Sequence, residues 1–226
     1  SDKEIIEQVD IVELIKNDKS YYTISSDLTR KVLELAKSIL DESKLHTDSI
    51  PEKKLYNVLN LYNVDKSRII ALYDTTIFKS GKDGILICDY FIGLKHAFGS
   101  AMIITFEDLV IARINEVAKN IQINDRNIDI KTNEFIKFFK RLKELFILEN
   151  LYLKSKYEDY VLCALDEIES KIDNKQYDEA ESIFIMLEET VIGNNKEICA
   201  SLYYYGCLIR MEQLNFEQAY NYFYNL

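Results

Sequence analysis

At 226 residues, 48% of them hydrophobic, the chain exceeds the usual single-core domain of roughly 100–150 residues, and two modules can each bury a core. One proline and six glycines exclude a collagen-like or long disordered segment, and no apolar run approaches the ~20 residues needed to span a bilayer. The formal net charge of −10 is concentrated late: from Tyr160 to Leu226 twelve acids stand against four bases, leaving −8, a surface that repels a nucleic-acid backbone and serves solubility or a basic partner.

In chain order, Ile5, Ile6, Val9, Val12 and Ile15 fall on one stripe of a helix over Lys3 to Lys16. No positively charged start followed by an apolar stretch occurs at Ser1-Asp2-Lys3-Glu4, so no secretory signal is read there. Leu28, Val32, Leu35, Ala36, Ile39 and Leu40 predict a second helix, with Ser26 or Asp27 as its cap. Ser49-Ile50-Pro51-Glu52 has capping-box form with proline in the first turn, so a third helix is expected from Pro51 to Tyr62.

The chemistry then changes. Ile69, Ile70 and Leu72 form a strand ending at Asp74, Lys79 to Gly84 is a turn-rich connection, and Ile85 to Cys88 resumes as strand. Asp89-Tyr90 reverses the chain before Phe91 to Lys95, which makes three successive antiparallel strands. Ala101 to Phe106 predicts a fourth strand and Leu109 to Ile114 a fifth. Ile121, Ile123, Ile128 and Ile130 alternate on either side of Asn124-Asp125-Arg126-Asn127, predicting a hairpin and about seven strands in all. Thr132 or Asn133 then caps a helix to about Leu148. Phe135, Phe138, Phe139, Leu142, Leu145 and Phe146 share one face of it, while Lys137, Lys140, Arg141 and Lys143 lie around the other. Its phenylalanines are expected to cover the open end of the sheet.

Seven antiparallel strands closed by one amphipathic helix is the pleckstrin-homology-like order. Asp74-Thr75-Thr76-Ile77-Phe78 followed by Gly81-Lys82-Asp83-Gly84-Ile85-Leu86-Ile87 resembles bacterial proteins of that superfold, over about Lys66 to Glu149. The resemblance implies a half-open barrel plugged by the helix, used to bind lipid headgroups, peptides or other proteins.

Beyond Leu151 an internal repeat is visible. Lys175-Gln176-Tyr177-Asp178-Glu179-Ala180-Glu181-Ser182-Ile183-Phe184 recurs as Leu214-Asn215-Phe216-Glu217-Gln218-Ala219-Tyr220-Asn221-Tyr222-Phe223, an offset of 39 residues. Aromatic-acid-x-Ala-x-x-x-Phe is similar to the start of the second helix of a tetratricopeptide repeat, with Gly206 near the small position of a first helix. The offset departs from that family's period of about 34, and Glu167 stands where Gly206 aligns in the first copy. Such hairpins each need a neighbour, and no polar capping helix follows the second copy, so a longer protein is expected.

These readings give an α+β chain: N-terminal helices over 1–64, a seven-stranded antiparallel pleckstrin-homology-like barrel or sandwich with its C-terminal helix over 65–149, and a tetratricopeptide-like helical hairpin array over 150–226. Cys88, Cys163, Cys199 and Cys207 lie in apolar stretches without C-x-x-C spacing, which predicts buried small hydrophobes in a reducing cytoplasm. With only His46 and His96 available, both read as surface residues, neither a zinc site nor any cofactor is expected.

No nucleophile with its base or acid–base pair is recognisable, and Ser80-Gly81-Lys82-Asp83-Gly84 lacks the G-x-x-x-x-G-K-[ST] spacing of a phosphate loop. The expectation is a non-catalytic adaptor binding a protein or peptide and no nucleic acid. The alternative is a membrane-recruitment module in which Lys79, Lys82 and Lys95 meet anionic headgroups. In the adaptor, Lys171 maps onto Arg210, Ala164 onto Tyr203 and Ile168 onto Cys207. Lys171, Tyr203 and Arg210 therefore form the candidate partner-binding set, with both cations free to grip a carboxylate unless they neutralise Glu167, Glu169 and Glu212. Of Tyr203-Tyr204-Tyr205, two are expected to pack.

Overall fold

The computed structural model describes residues 23–76, 81, 83–96, 100–130, 132–191 and 196–224, without the side chains of 196 and 197. The expected helix over Lys3 to Lys16 lies outside them. In order come α1 (Ser26–Ile39), β1 (Leu45–His46), α2 (Glu52–Tyr62), β2 (Ile69–Asp74), β3 (Gly84–Cys88), β4 (Phe91–Lys95) and β5 (Met102–Thr105). Then follow α3 (Phe106–Ile111), β6 (Arg113–Asn115), β7 (Asn120–Ile123), β8 (Arg126–Asp129), α4 (Asn133–Glu149), α5 (Leu151–Asp173), α6 (Tyr177–Thr190), α7 (Lys196–Glu212) and α8 (Phe216–Tyr224).

The architecture is mixed α+β, but the strands form an open five-stranded antiparallel sheet, β1-β2-β3-β4-β5, and a separate three-stranded sheet, β6-β7-β8. This corrects the expected seven-stranded barrel. The reason is visible in β3, where Gly84-Ile85-Leu86-Ile87-Cys88 is buried at every position. A strand apolar on both faces needs a layer on each side, which a half-open barrel does not supply. On one side Leu72, Leu86, Cys88 and Phe91 pack with Val58, Tyr62 and Val64 of the α2 region. Gly93 permits this layer, since a Cβ there would lie 2.6 Å from the Tyr62 ring. On the other side Ala71, Tyr73, Ile85, Ile87, Ile92, Leu94 and Ile104 join the main core.

Several local expectations shift. Strand β1, unforeseen, adds to the sheet by pairing Leu45 with Tyr73 and His46 with Leu72. The cap of α1 is Ser25, one residue before Ser26, its Oγ accepting from the Leu28 N–H at 3.2 Å. Helix α2 has Pro51 at its N-cap position and no side-chain cap, so the Ser49 capping box does not form. The expected fifth strand is α3 and β6 instead. Thr105 Oγ1 accepts from the Asp108 N–H at 3.1 Å, and Phe106, Leu109 and Val110 are buried on one helical face. The hairpin turn needs only Asn124-Asp125, with Asn124 at φ 49°, so Arg126 and Asn127 belong to β8. Its alternating Ile121, Ile123, Ile128 and Ile130 are buried.

Helix α4 begins at the expected Thr132 cap and buries Phe135, Phe138, Phe139, Leu142 and Phe146. Phe135 meets Tyr73 of β2 edge-on at 5.6 Å, and Phe146 lies 4.5 Å from Phe106 of α3. Packed also on α1, α5 and β6, the helix sits inside a helical layer that continues past the sheet. One hydrophobic cluster runs from Ile24 through the sheet to Ile209 of α7. Of the four cysteines, Cys88 alone is buried, Cys199 and Cys207 are half-buried and Cys163 is exposed. Helical spacing explains Cys163: Val161, Ala164 and Leu165 face inward, which turns Leu162 and Cys163 out.

Candidate interaction surface of the helical hairpins

The repeat seen in sequence is also a repeat of backbone geometry. Helices α5 and α6 are joined through Asn174-Lys175, and α7 and α8 through Gln213-Leu214. Lys175 has φ 59° and Leu214 φ 58°, both left-handed without being glycine. The Gln176 N–H donates to the Lys171 carbonyl at 2.8 Å, and 39 residues on, the Asn215 N–H donates to the Arg210 carbonyl at the same 2.8 Å. Each is the six-to-one bond of a Schellman motif. The next helix starts at once, with Ala180 N–H to Gln176 carbonyl and Ala219 N–H to Asn215 carbonyl both at 3.0 Å. Ala180 and Ala219 are both buried, in hairpins whose two helices pack on each other.

Between the hairpins, Phe184 of α6 is buried against Gly206 of α7, where an added Cβ would stand 2.6 Å from the ring. Its edge meets Tyr222 of α8 at 5.1 Å, and Tyr203 stacks on Tyr222 at 6.1 Å. Tyr203 is thus half-buried in packing, as is Tyr205, while Tyr204 is exposed. The two candidate cations are engaged inside the module. Lys171 pairs with Glu179 of α6, and Arg210 pairs with Glu181 of α6 and donates to Gln213 at 2.8 Å. The paired carboxylates are thus on α6 instead of being the expected Glu167, Glu169 and Glu212, although Glu167 also acts on Lys171 through space. Gln213 and then Arg210 hydrogen-bond the Glu181 carboxyl and hold it below its ordinary value, while the Arg210 Nε stays buried without a partner.

Of the lysines in the membrane reading, Lys95 pairs with Asp83 at 2.8 Å, and Lys79 and Lys82 lie outside the described residues. Helix α4 does present a basic groove, lined by Ile136, Lys137, Lys140 and Arg141 with Glu116 and Glu144. Lys140 is paired with Glu116 and Arg141 with Glu144.

Two buried polar centres brace the fold. Lys143, expected on the exposed face of α4, is 4% exposed; its Nζ donates to the Ala112 carbonyl at 2.8 Å and the Thr190 carbonyl at 3.2 Å. These carbonyls end α3 and α6, where orphan acceptors and the helix dipole favour a cation. Burial pushes the Lys143 ammonium down to about 7. Its position was legible, since 139, 142, 143 and 146 all belong to one apolar helical face.

At the sheet edge Lys54 pairs with Asp74 at 2.8 Å and donates to His46 Nε2 at 2.8 Å. Burial pushes the Asp74 carboxyl up, but hydrogen bonds from Lys54 and Thr76 outweigh it and leave the carboxyl below its ordinary value. His46 is lowered by burial and by Lys54. Rather than lying free at the surface, it is half-buried; His96 is also half-buried, contacting the Asp129 carbonyl at 3.0 Å.

Among the described residues no three His, Cys, Asp or Glu side chains are grouped to hold a metal ion, and no helix is long and apolar enough to cross a membrane. On α8, Phe216, Tyr220, Phe223 and Tyr224 are all exposed, a cluster of aromatic side chains on one short helix. Comparison with family models, with curated proteins and with solved structures finds no match.

Proposed function

We propose that this chain is a non-catalytic protein-interaction adaptor, in which tetratricopeptide-like hairpins carry the partner-binding surface and the sheet region braces them. The observation that carries the reading is α8: a helix built on the same backbone motif as α6, yet with Phe216, Tyr220, Phe223 and Tyr224 turned to solvent. Clustered aromatic side chains provide large contact area at low entropic cost and dominate binding energy in protein interfaces. Lys95 is neutralised by Asp83, which favours protein over anionic lipid as the partner.

The test is affinity capture from the native cell, comparing the full chain with a Phe216→Ser, Tyr220→Ser variant. One protein retained by the first and lost by the second, with equal melting temperatures, supports the adaptor. Equal capture by both, or recovery with membrane vesicles instead, refutes it.

A further inference from the structure

One arginine beside β2 shows how this protein holds a cation against a ring. Arg68 lies over the Tyr90 ring at 4.3 Å, and its Nε donates to both carboxylate oxygens of Asp89 at 2.8 Å. Ring face and carboxylate together hold the guanidinium. Helix α8 presents the same two halves without the cation. At about 100° per residue, Phe223 and Phe216 come first around its outer face, then Tyr220, then Tyr224 and Glu217, all within about 120° of arc. The Tyr220 and Tyr224 rings stack at 6.4 Å and both are exposed. Glu217 is exposed too, and no ion pair holds it among the described residues.

The chain does not supply that cation from nearby. Arg210, the closest to α8 in sequence, is spent on Glu181, and from Met211 to Tyr224 there is no lysine, arginine or histidine. Glu212 and Glu217 lie on that stretch, and Glu188 accepts a hydrogen bond from the Tyr222 hydroxyl of α8 at 3.5 Å. We propose that the outer face of α8 is a seat for an arginine of the partner protein, in a segment that also carries an apolar side chain. The guanidinium lies over Tyr220 and Tyr224 and pairs with Glu217, while the apolar side chain packs on Phe216 and Phe223. This deepens the adaptor reading and rests on it, naming the chemistry of the docking segment. Arginine fits better than lysine because its plane stacks on a ring while its N–H groups still reach a carboxylate. The surplus carboxylates attract such a segment and repel the anionic headgroups of a membrane.

The experiment selects a phage-displayed library of random short peptides on the full chain, then titrates a selected peptide against variants. Selected sequences are expected to carry arginine close to a leucine, isoleucine, methionine or phenylalanine. Replacing that arginine by lysine, or Glu217→Gln in the chain, should each weaken binding by about three- to tenfold at unchanged melting temperature, and added salt should weaken it further. Phe223→Ser should abolish it. The proposal is overturned if no peptide is selected, if the selected peptides lack arginine, or if binding is indifferent to both Glu217→Gln and Tyr220→Ser. Binding to phosphatidylserine vesicles that Tyr220→Ser abolishes overturns it in favour of lipid, and self-association that Phe223→Ser abolishes does so in favour of a second copy. A partner captured from the native cell whose arginines are all dispensable sinks the arginine seat and leaves the adaptor standing. Arginine peptides that bind as expected, with no partner captured, support the seat and sink the adaptor, so the two readings fail separately.

Discussion

The two hairpins share their turns to within a degree of φ at Lys175 and Leu214, yet the second helix of one is covered and that of the other is exposed. Local hydrogen bonding sets the turn and the entry into the second helix, so it is identical in both copies. Burial is set by the neighbour, so Phe184 and Phe223 differ from 1% to 65% exposure. A repeat can therefore be conserved in backbone and unequal in stability.

The strongest way to break this comparison is to truncate the paired phenylalanines. Phe184→Ala should cost about 3–5 kcal/mol and Phe223→Ala less than about 0.5 kcal/mol, measured by urea unfolding. Equal losses would mean that α8 is covered after all. Next in size is a pH effect at Lys143, which bears on the joint between the first hairpin and α3. Its folded value of about 7 lies below the ordinary 10.5. Between those values the unfolded chain binds more protons, so stability rises with pH from about 7 to 10.5, by an order of 2–4 kcal/mol. Lys143→Met should flatten that rise; an unaltered slope would assign it to other groups.

Gly206→Ala should cost about 1–3 kcal/mol through overpacking on Phe184, whereas Glu167→Ala, at the aligned place in the first copy, should leave the melting temperature unchanged. Smallest is Lys171→Ala. Its exposed ion pair with Glu179 is screened by solvent, so no shift in melting is expected at physiological salt, and a clear drop would show that the pair holds the first hairpin shut.

The sequence was readable wherever structure is local. Ile85 to Cys88 reads as strand, Thr132 as a cap and Lys175 to Phe184 as a repeat, because each depends on a few neighbouring residues. Thr105-Phe106-Glu107-Asp108 also carried its signal, a Thr cap before an i, i+3, i+4 apolar face, but Leu109 to Ile114 alone looks like strand. The partners of the candidate cations were not legible. Glu179 lies on the opposite helix from Lys171, and Glu181 precedes Arg210 by 29 residues, so only the packing angle of the helices brings them together. The open sheet was likewise hidden, since continuous apolar strands reveal two covered faces only once the covering helices are assigned.

The two-residue strand β1 carries a consequence beyond its size. It lies on the outer edge of β2, whose residues from Ala71 to Asp74 are all buried, and Lys54 holds it there through His46. Without that cover, β2 would present an apolar row of unpaired backbone groups, a template on which another chain can extend the sheet. The shortest of the described strands thus covers part of an edge on which another chain could extend the sheet, fastened at one end by a single imidazole.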